Sequence, residues 1–278
     1  MGNNLEATKT KYSISQMTIA FVVLTVVYIL RGKILFFLGP SFLNSGNGKL
    51  LQAIVSLVIA LICAHFANKF AGKSFKVFIK RIEQGKVRWL TALFCVIVFI
   101  LYLAKASQWV QVMHKSVMSI ITILLLAVAA GLCEEFLFRD LLFNLFTKIL
   151  SKRRYVLLWS AILSSICFGL AHFVNLSRQD FGVTFQQVIA VTSIGLMLCT
   201  IRILTNNMWL NVIMHIAFDI SPLVVTGDII GKWSAIIVSG LWIGGISLLT
   251  IWTYNHHCLK KISIYKVCSL KLNLSKRN

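Results

Sequence analysis

Apolar residues dominate eight stretches of this chain, and the polar positions between them fall in short clusters. The runs lie at about 14–37, 50–70, 89–104, 117–138, 155–173, 183–204, 208–226 and 233–254. A helix needs about 20 apolar residues to cross a bilayer core about 30 Å thick. The pattern therefore predicts an all-α fold, a polytopic transmembrane helical bundle of about eight spans. Arg31 and Lys33 interrupt the first run, which reads as partly re-entrant. That run lacks a small-residue cleavage pattern and leads into a long membrane domain, which argues against a cleaved secretory signal. Only Pro40 and Pro222 punctuate the chain, with no Ser-rich or Pro-rich linker and no internal repeat. The simplest division is a cytoplasmic N-terminal arm at 1–13, one membrane-embedded domain at 14–254 and a basic C-terminal tail at 255–278.

Composition supports the pattern: the chain is 58% hydrophobic and 13% charged, with a mean hydropathy of +0.83. A formal charge of +20 would suit a nucleic-acid partner if the basic residues formed a patch, so their positions decide. They cluster between apolar runs, at Lys69, Lys73, Lys76, Lys80, Arg81, Lys86 and Arg88, at Lys148, Lys152, Arg153 and Arg154, and from Lys260 to Arg277. With both termini inside, most fall on the cytoplasmic side, as membrane topology requires. The expected partner of this charge is anionic membrane lipid, not nucleic acid. Of seven cysteines, Cys63, Cys95, Cys133, Cys167 and Cys199 sit within apolar runs without ligand-like pairing and read as small core hydrophobes.

Against this background three polar clusters stand out, because an ionisable group in a membrane segment is costly and is a functional candidate by default. Glu134 and Glu135 end an apolar run from Ile120 to Cys133, in a chain with eight acidic residues. On a helix Arg139 lies beneath Glu135 and can neutralise it, whereas Glu134 is turned about 100° away without a partner in its own segment. His172 closes the stretch Phe168-Gly-Leu-Ala-His172. The polar break Ser151–Tyr155 lies about midway between Glu134 and His172, so an antiparallel hairpin brings the two to similar depth, with Phe168 as a wall for the imidazole. Asn211, His215 and Asp219 form a polar stripe on one face of an apolar helix, which must face protein or water. His65 and His114 lack such company and read as structural, and His256-His257 as interfacial. The blander readings are a pair of glutamates neutralised at a helix end and a histidine capping a span.

A buried glutamate sharing a water with a histidine can activate it for attack on a carbonyl, and a second histidine can support the developing oxyanion. The same Glu, His and His with one open position would also suit hydrolytic zinc. No His-Glu-x-x-His, Gly-x-Ser-x-Gly, P-loop or Gly-x-Gly-x-x-Gly run occurs.

In order and spacing, Glu134-Glu135 with Arg139, Phe168 with His172, and His215 with Asp219 resemble the three motifs of the CPBP membrane proteases. These are the CAAX proteases and bacteriocin-processing or self-immunity proteins, also called the Abi family. The likeness covers about 130–220, the motif core of the membrane domain. It implies a multi-helix intramembrane endopeptidase acting on a peptide or protein substrate, in CAAX-type processing or in bacteriocin maturation and self-immunity, and for a bacterial member a place in the cell membrane. By the same resemblance Glu134 and His172 would activate the water, His215 and Asp219 would support the oxyanion, and Glu135 with Arg139 would form a supporting pair; Phe168 and Asn211, from their places on the helices, are expected to support the site. Asp219 takes the acidic option where the prenyl-protein enzymes have Asn; an ionised carboxylate only accepts, which favours orienting His215. The motifs do not decide whether a metal is needed; bacterial members are often called metalloproteases, and if zinc is bound its ligands would be Glu134, His172 and His215. The alternative from another class is a non-enzymatic immunity or scaffold protein, or a small transporter using the same buried polar residues.

Overall fold

The structure, a computed structural model, describes residues 11–72, 85–222 and 232–275, all of whose regular structure is helical. Lys73, Lys76, Lys80, Arg81 and Arg277, and the arm before Lys11, lie outside the described residues. Helix α1 is Ile14–Leu30, α2 Gly46–Ala71, α3 Gly85–Met113 and α4 Val117–Glu134. Without a break α4 passes through a π-helical stretch, Glu135–Leu142, into α5 (Phe143–Ile149). Helices α6 (Val156–Ala171), α7 (Phe181–Thr205), α8 (Met208–Asp219) and α9 (Trp233–Ser275) follow. Local chemistry sets several starts: Ser13 forms a capping box with Gln16, and Ser45, Ser116 and Asn207 each accept a backbone N–H from the first turn of α2, α4 and α8.

Among the described residues six helices are long and apolar enough to cross a membrane: Gly46–Ala71, Arg88–Met113, Val117–Ile149, Val156–Ser177, Phe181–Thr205 and Trp233–His256. The other two apolar runs form shorter helices, α1 with 17 residues and α8 with 12. The first run breaks at its basic residues, where Arg31–Lys33 and Phe36–Leu38 form 3-10 turns before Gly39, whose φ of 78° suits a residue without a side chain. The fourth run is longer than its hydrophobicity suggests, because Val117–Ile149 is one continuous helical rod.

The exterior is apolar, as for a protein that faces lipid: Trp89, Phe99, Leu241 and Trp242 are all largely exposed. Helix α2 instead buries Ala53, Ala60, Cys63, Ala64, Ala67 and Ala71, a small-residue face that lets it pack closely on α4 and α1. Helix α7 packs between α6 and α9. Phe136, Leu137, Phe138, Leu141 and Phe168 belong to the main core cluster, so the π-helical stretch runs through the middle of the bundle. Buried polar side chains inside and apolar side chains outside make this an integral membrane protein.

Candidate active site

Every residue from Glu135 to Leu142 is buried, including Glu135, Arg139 and Asp140 at 0% exposure. An α-helix of this length on the bundle surface would turn some of them to lipid. The wider π turn changes the angular step between residues, and such turns recur at functional sites.

Glu135 is the anchor of the site. Its Oε1 lies 3.0 Å from Arg139 Nη1 and 2.7 Å from His215 Nδ1, while its Oε2 accepts a hydrogen bond from Asn211 Nδ2 at 3.0 Å. Arg139 is held by the charge of Glu135 and by an aromatic face, with its guanidinium carbon 3.9 Å from the centroid of the Phe168 ring. Gly195 opens the space for it, since a Cβ there would stand 3.1 Å from Arg139 Nη2.

Helix α8 reaches this anchor because of a two-residue connection. Asn206 ends α7 in the left-handed region (φ 50°), a conformation asparagine tolerates, and its side chain accepts a 2.6 Å hydrogen bond from Arg202. Asn207 then caps α8. The helix is pinned from α3 by Tyr102 Oη donating to Met214 O at 2.6 Å and Trp109 Nε1 donating to Ala217 O at 2.9 Å. Against α4 it comes very close: a Cβ on Gly131 would lie 2.6 Å from Ile216 Cγ1 and 3.3 Å from the Val212 carbonyl oxygen. The stripe of Asn211, His215 and Asp219 therefore meets the two glutamates, as its polarity required.

His215 sits between three carboxylates. Nδ1 takes Glu135, and Nε2 lies 3.6 Å from Glu134 Oε2 and 3.4 Å from Asp219 Oδ2. Glu135 is fully enclosed, whereas the Glu134 side chain keeps 17% exposure and that of Asp219 27%. The two adjacent glutamates thus differ sharply: one is locked, the other faces the edge of the site.

His172 stands at the end of α6, its Nδ1 2.9 Å from the Phe168 carbonyl oxygen. Since that oxygen can only accept, Nδ1 carries the proton and Nε2 keeps its lone pair. Phe168 is the wall for both histidines, edge-on to His172 at 4.9 Å and to His215 at 6.0 Å between ring centroids. The hairpin expected around Ser151–Tyr155 is present: Phe138 meets Phe168 at 5.1 Å, and Ser164 Oγ donates to the Phe138 carbonyl. Phe138 and Phe168 are equidistant in sequence from Arg153, and so, one turn further out, are Glu134 and His172.

Among the described residues no group of three or more His, Cys, Asp or Glu side chains is placed to hold a metal ion, Glu134, His172 and His215 included.

A second buried polar group escaped the sequence reading. Asp140 Oδ1 lies 3.8 Å from Arg202 Nη2 and accepts from Asn144 Nδ2 at 3.2 Å, and Arg202 bonds Asn206 in the connection to α8. An aspartate beside Arg139 and an arginine inside an apolar run were the available signals. Of the other histidines, His65 and His114 are exposed.

Residues 116–221 match the family model described as type II CAAX prenyl endopeptidase Rce1-like. The matched segment begins at the Ser116 cap of α4 and ends just beyond α8, so it contains every residue of the site described above. The matched segment contains the three motifs that resemble the CPBP or CAAX proteases. No curated protein and no solved structure matches the chain.

Proposed function

We propose that the protein is an intramembrane endopeptidase that hydrolyses a peptide bond with a water activated by Glu134 and His172. The observation that carries this reading is the contrast between the glutamates. Glu135 is spent on Arg139, His215 and Asn211, which leaves Glu134 as the carboxylate with access to a water and to a substrate. His172, with its Nδ1 proton committed to Phe168, offers Nε2 as an acceptor for the same water. In this mechanism the water oxygen bonds to the scissile carbonyl carbon and its proton passes to Glu134. His215, oriented by Glu135 and Asp219, supports the negative charge on the carbonyl oxygen. When the C–N bond breaks, Glu134 returns the proton to the leaving amine. Rings and carboxylates held by buried partners cost little reorganisation at the moment of reaction, which is where preorganised sites gain their rate.

Detergent-purified protein incubated with a peptide library containing farnesylated and unmodified members tests the reading. The wild type should cleave a subset, and Glu134→Ala, His172→Ala and His215→Ala should each lose about 10³-fold or more in rate while remaining in the membrane fraction. Normal cleavage by Glu134→Ala would end this mechanism. A substrate confined to farnesylated members would place the protein in CAAX-type processing; cleavage of unmodified leader peptides would favour bacteriocin maturation.

The catalytic set works without a metal in this proposal, because among the described residues no three His, Cys, Asp or Glu side chains are placed to hold one. Active preparations should then hold zinc far below one equivalent and keep their rate after slow chelation. Stoichiometric zinc that leaves together with activity would overturn the metal-free version.

A further inference from the structure

Lys105 is the one charged side chain between Trp89 and Met113, inside the apolar helix Arg88–Met113. A cation in such a segment is costly and is a functional candidate by default. Its ammonium is held on the side of α3 that packs against α8: Nζ stands 4.5 Å from the centroid of the Phe218 ring and donates to Gln108 Oε1 at 2.6 Å. Tyr102 and Trp109, on the same face of α3, bond the Met214 and Ala217 carbonyl oxygens. Lys105 is therefore fixed against the last turns of the helix that carries His215 and Asp219.

Among the described residues no carboxylate lies within ion-pair distance of this ammonium. An ammonium has three N–H donors; Gln108 takes one, and the Phe218 ring face stands on another side. Lys105 is half-buried, so donor capacity remains within reach of a ligand. Phe218 immediately precedes Asp219, which with Glu134 makes up the more exposed edge of the site. Those two carboxylates repel an anionic peptide, and in apolar surroundings a carboxylate needs a cation beside it. Lys105 is the cation at hand.

We propose that Lys105 is a specificity-determining residue that binds a carboxylate of the peptide substrate, so that the site selects peptides carrying one near the cleaved bond. The inference rests on the endopeptidase reading and narrows its substrate class. The carboxylate is a free C-terminus or an Asp or Glu side chain, one chemistry from two sources. Attraction by Lys105 and repulsion by Glu134 and Asp219 act in the same direction: they draw the anionic part of the peptide past Phe218 and leave an uncharged stretch, with its scissile carbonyl, beside His215. A cation that only balanced Asp219 or the C-terminal end of α8 would serve every peptide alike, and that difference is measurable.

The library peptide that the wild type cleaves best is made with a free C-terminus, as the C-terminal amide, and with each Asp or Glu changed to Asn or Gln. One of these neutralised peptides should show a kcat/KM lower by about 10-fold or more, the order of a lost hydrogen bond to a charged group, with the change in KM and not in kcat. Sensitivity to the C-terminal amide assigns the α-carboxylate; sensitivity to Asn or Gln assigns an acidic side chain. Lys105→Gln should lose the same factor on the charged peptide, and the two losses should coincide instead of adding. Lys105→Arg should keep the preference. Equal loss by Lys105→Gln on charged and neutral peptides overturns the inference, as does a wild type indifferent to every neutralisation. Anisotropy of fluorescently labelled acid and amide pairs from the library, bound to Glu134→Gln protein, keeps the two readings apart. Tighter binding of the acid that disappears on adding Lys105→Gln upholds the carboxylate site even if the wild type cleaves no member, a result that would remove the endopeptidase reading alone. Equal binding of acid and amide overturns the inference.

Discussion

Two glutamates that are neighbours in sequence have opposite surroundings, and the difference is testable by the smallest change available. Glu135→Gln keeps shape and a hydrogen-bond acceptor but leaves Arg139 buried without its counter-charge. Breaking a buried pair this way costs on the order of 3–5 kcal/mol, so the variant should melt well below the wild type or accumulate poorly. Glu134→Gln should melt normally and be inactive, because no ion pair to a guanidinium or ammonium depends on it. Thermal unfolding in detergent beside a cleavage assay reads both outcomes, and a well-folded, inactive Glu135→Gln beside an active Glu134→Gln would mean that the roles are exchanged. The Glu135–Arg139 pair was legible from the sequence because an i, i+4 relation is local, and so was the stripe of Asn211, His215 and Asp219. That Glu135 also grips His215 and Asn211 was not, since those contacts join helices far apart in the chain and depend on how the helices pack.

Elements show the same division. The six long helices and the hairpin around Ser151–Tyr155 follow from hydrophobic runs and a polar break, which any helix in lipid must obey. The π-helical stretch does not follow, because hydropathy says nothing of a changed step per turn within an apolar rod. Nor does the shortness of α8, which ends at Asp219 although the apolar pattern runs on. The approach of α8 to α4 rests on Gly131, where any side chain would meet Ile216. Gly131→Leu should push the helices apart, move His215 off Glu135 and cut activity by about 10²-fold or more, as misplacing a catalytic group by an ångström does. Gly245→Leu is the matching control, since a Cβ there meets nothing within 4 Å. Equal activity in the two variants would show that the close approach is unnecessary.

At the level of the whole molecule, a lipid-facing shell of apolar helices encloses a polar interior that includes five ionisable residues along one line of chain, Glu134, Glu135, Arg139, Asp140 and, from α7, Arg202. Within α4 and its continuation Glu135 meets its own counter-charge, but Asp140 does not. Its cation, Arg202, is made only after the α6 span has been completed. During synthesis, therefore, the segment from Val117 to Ile149 leaves the ribosome with Glu134, at its centre, and Asp140, about two turns further on, both without a cation, each at a cost of up to about 2.5–3.5 kcal/mol to the insertion machinery. Partitioning of that segment into the bilayer becomes conditional on a helix not yet translated. A chain truncated after Ser177 should integrate Val117–Ile149 inefficiently in a microsomal glycosylation assay, and Asp140→Asn should raise its integration. In chains that extend past Asn206 the same substitution should bring no gain; equal integration of the two truncated chains would refute the coupling. The ion pair that braces the mature bundle would then also fix the order in which its halves can enter the membrane.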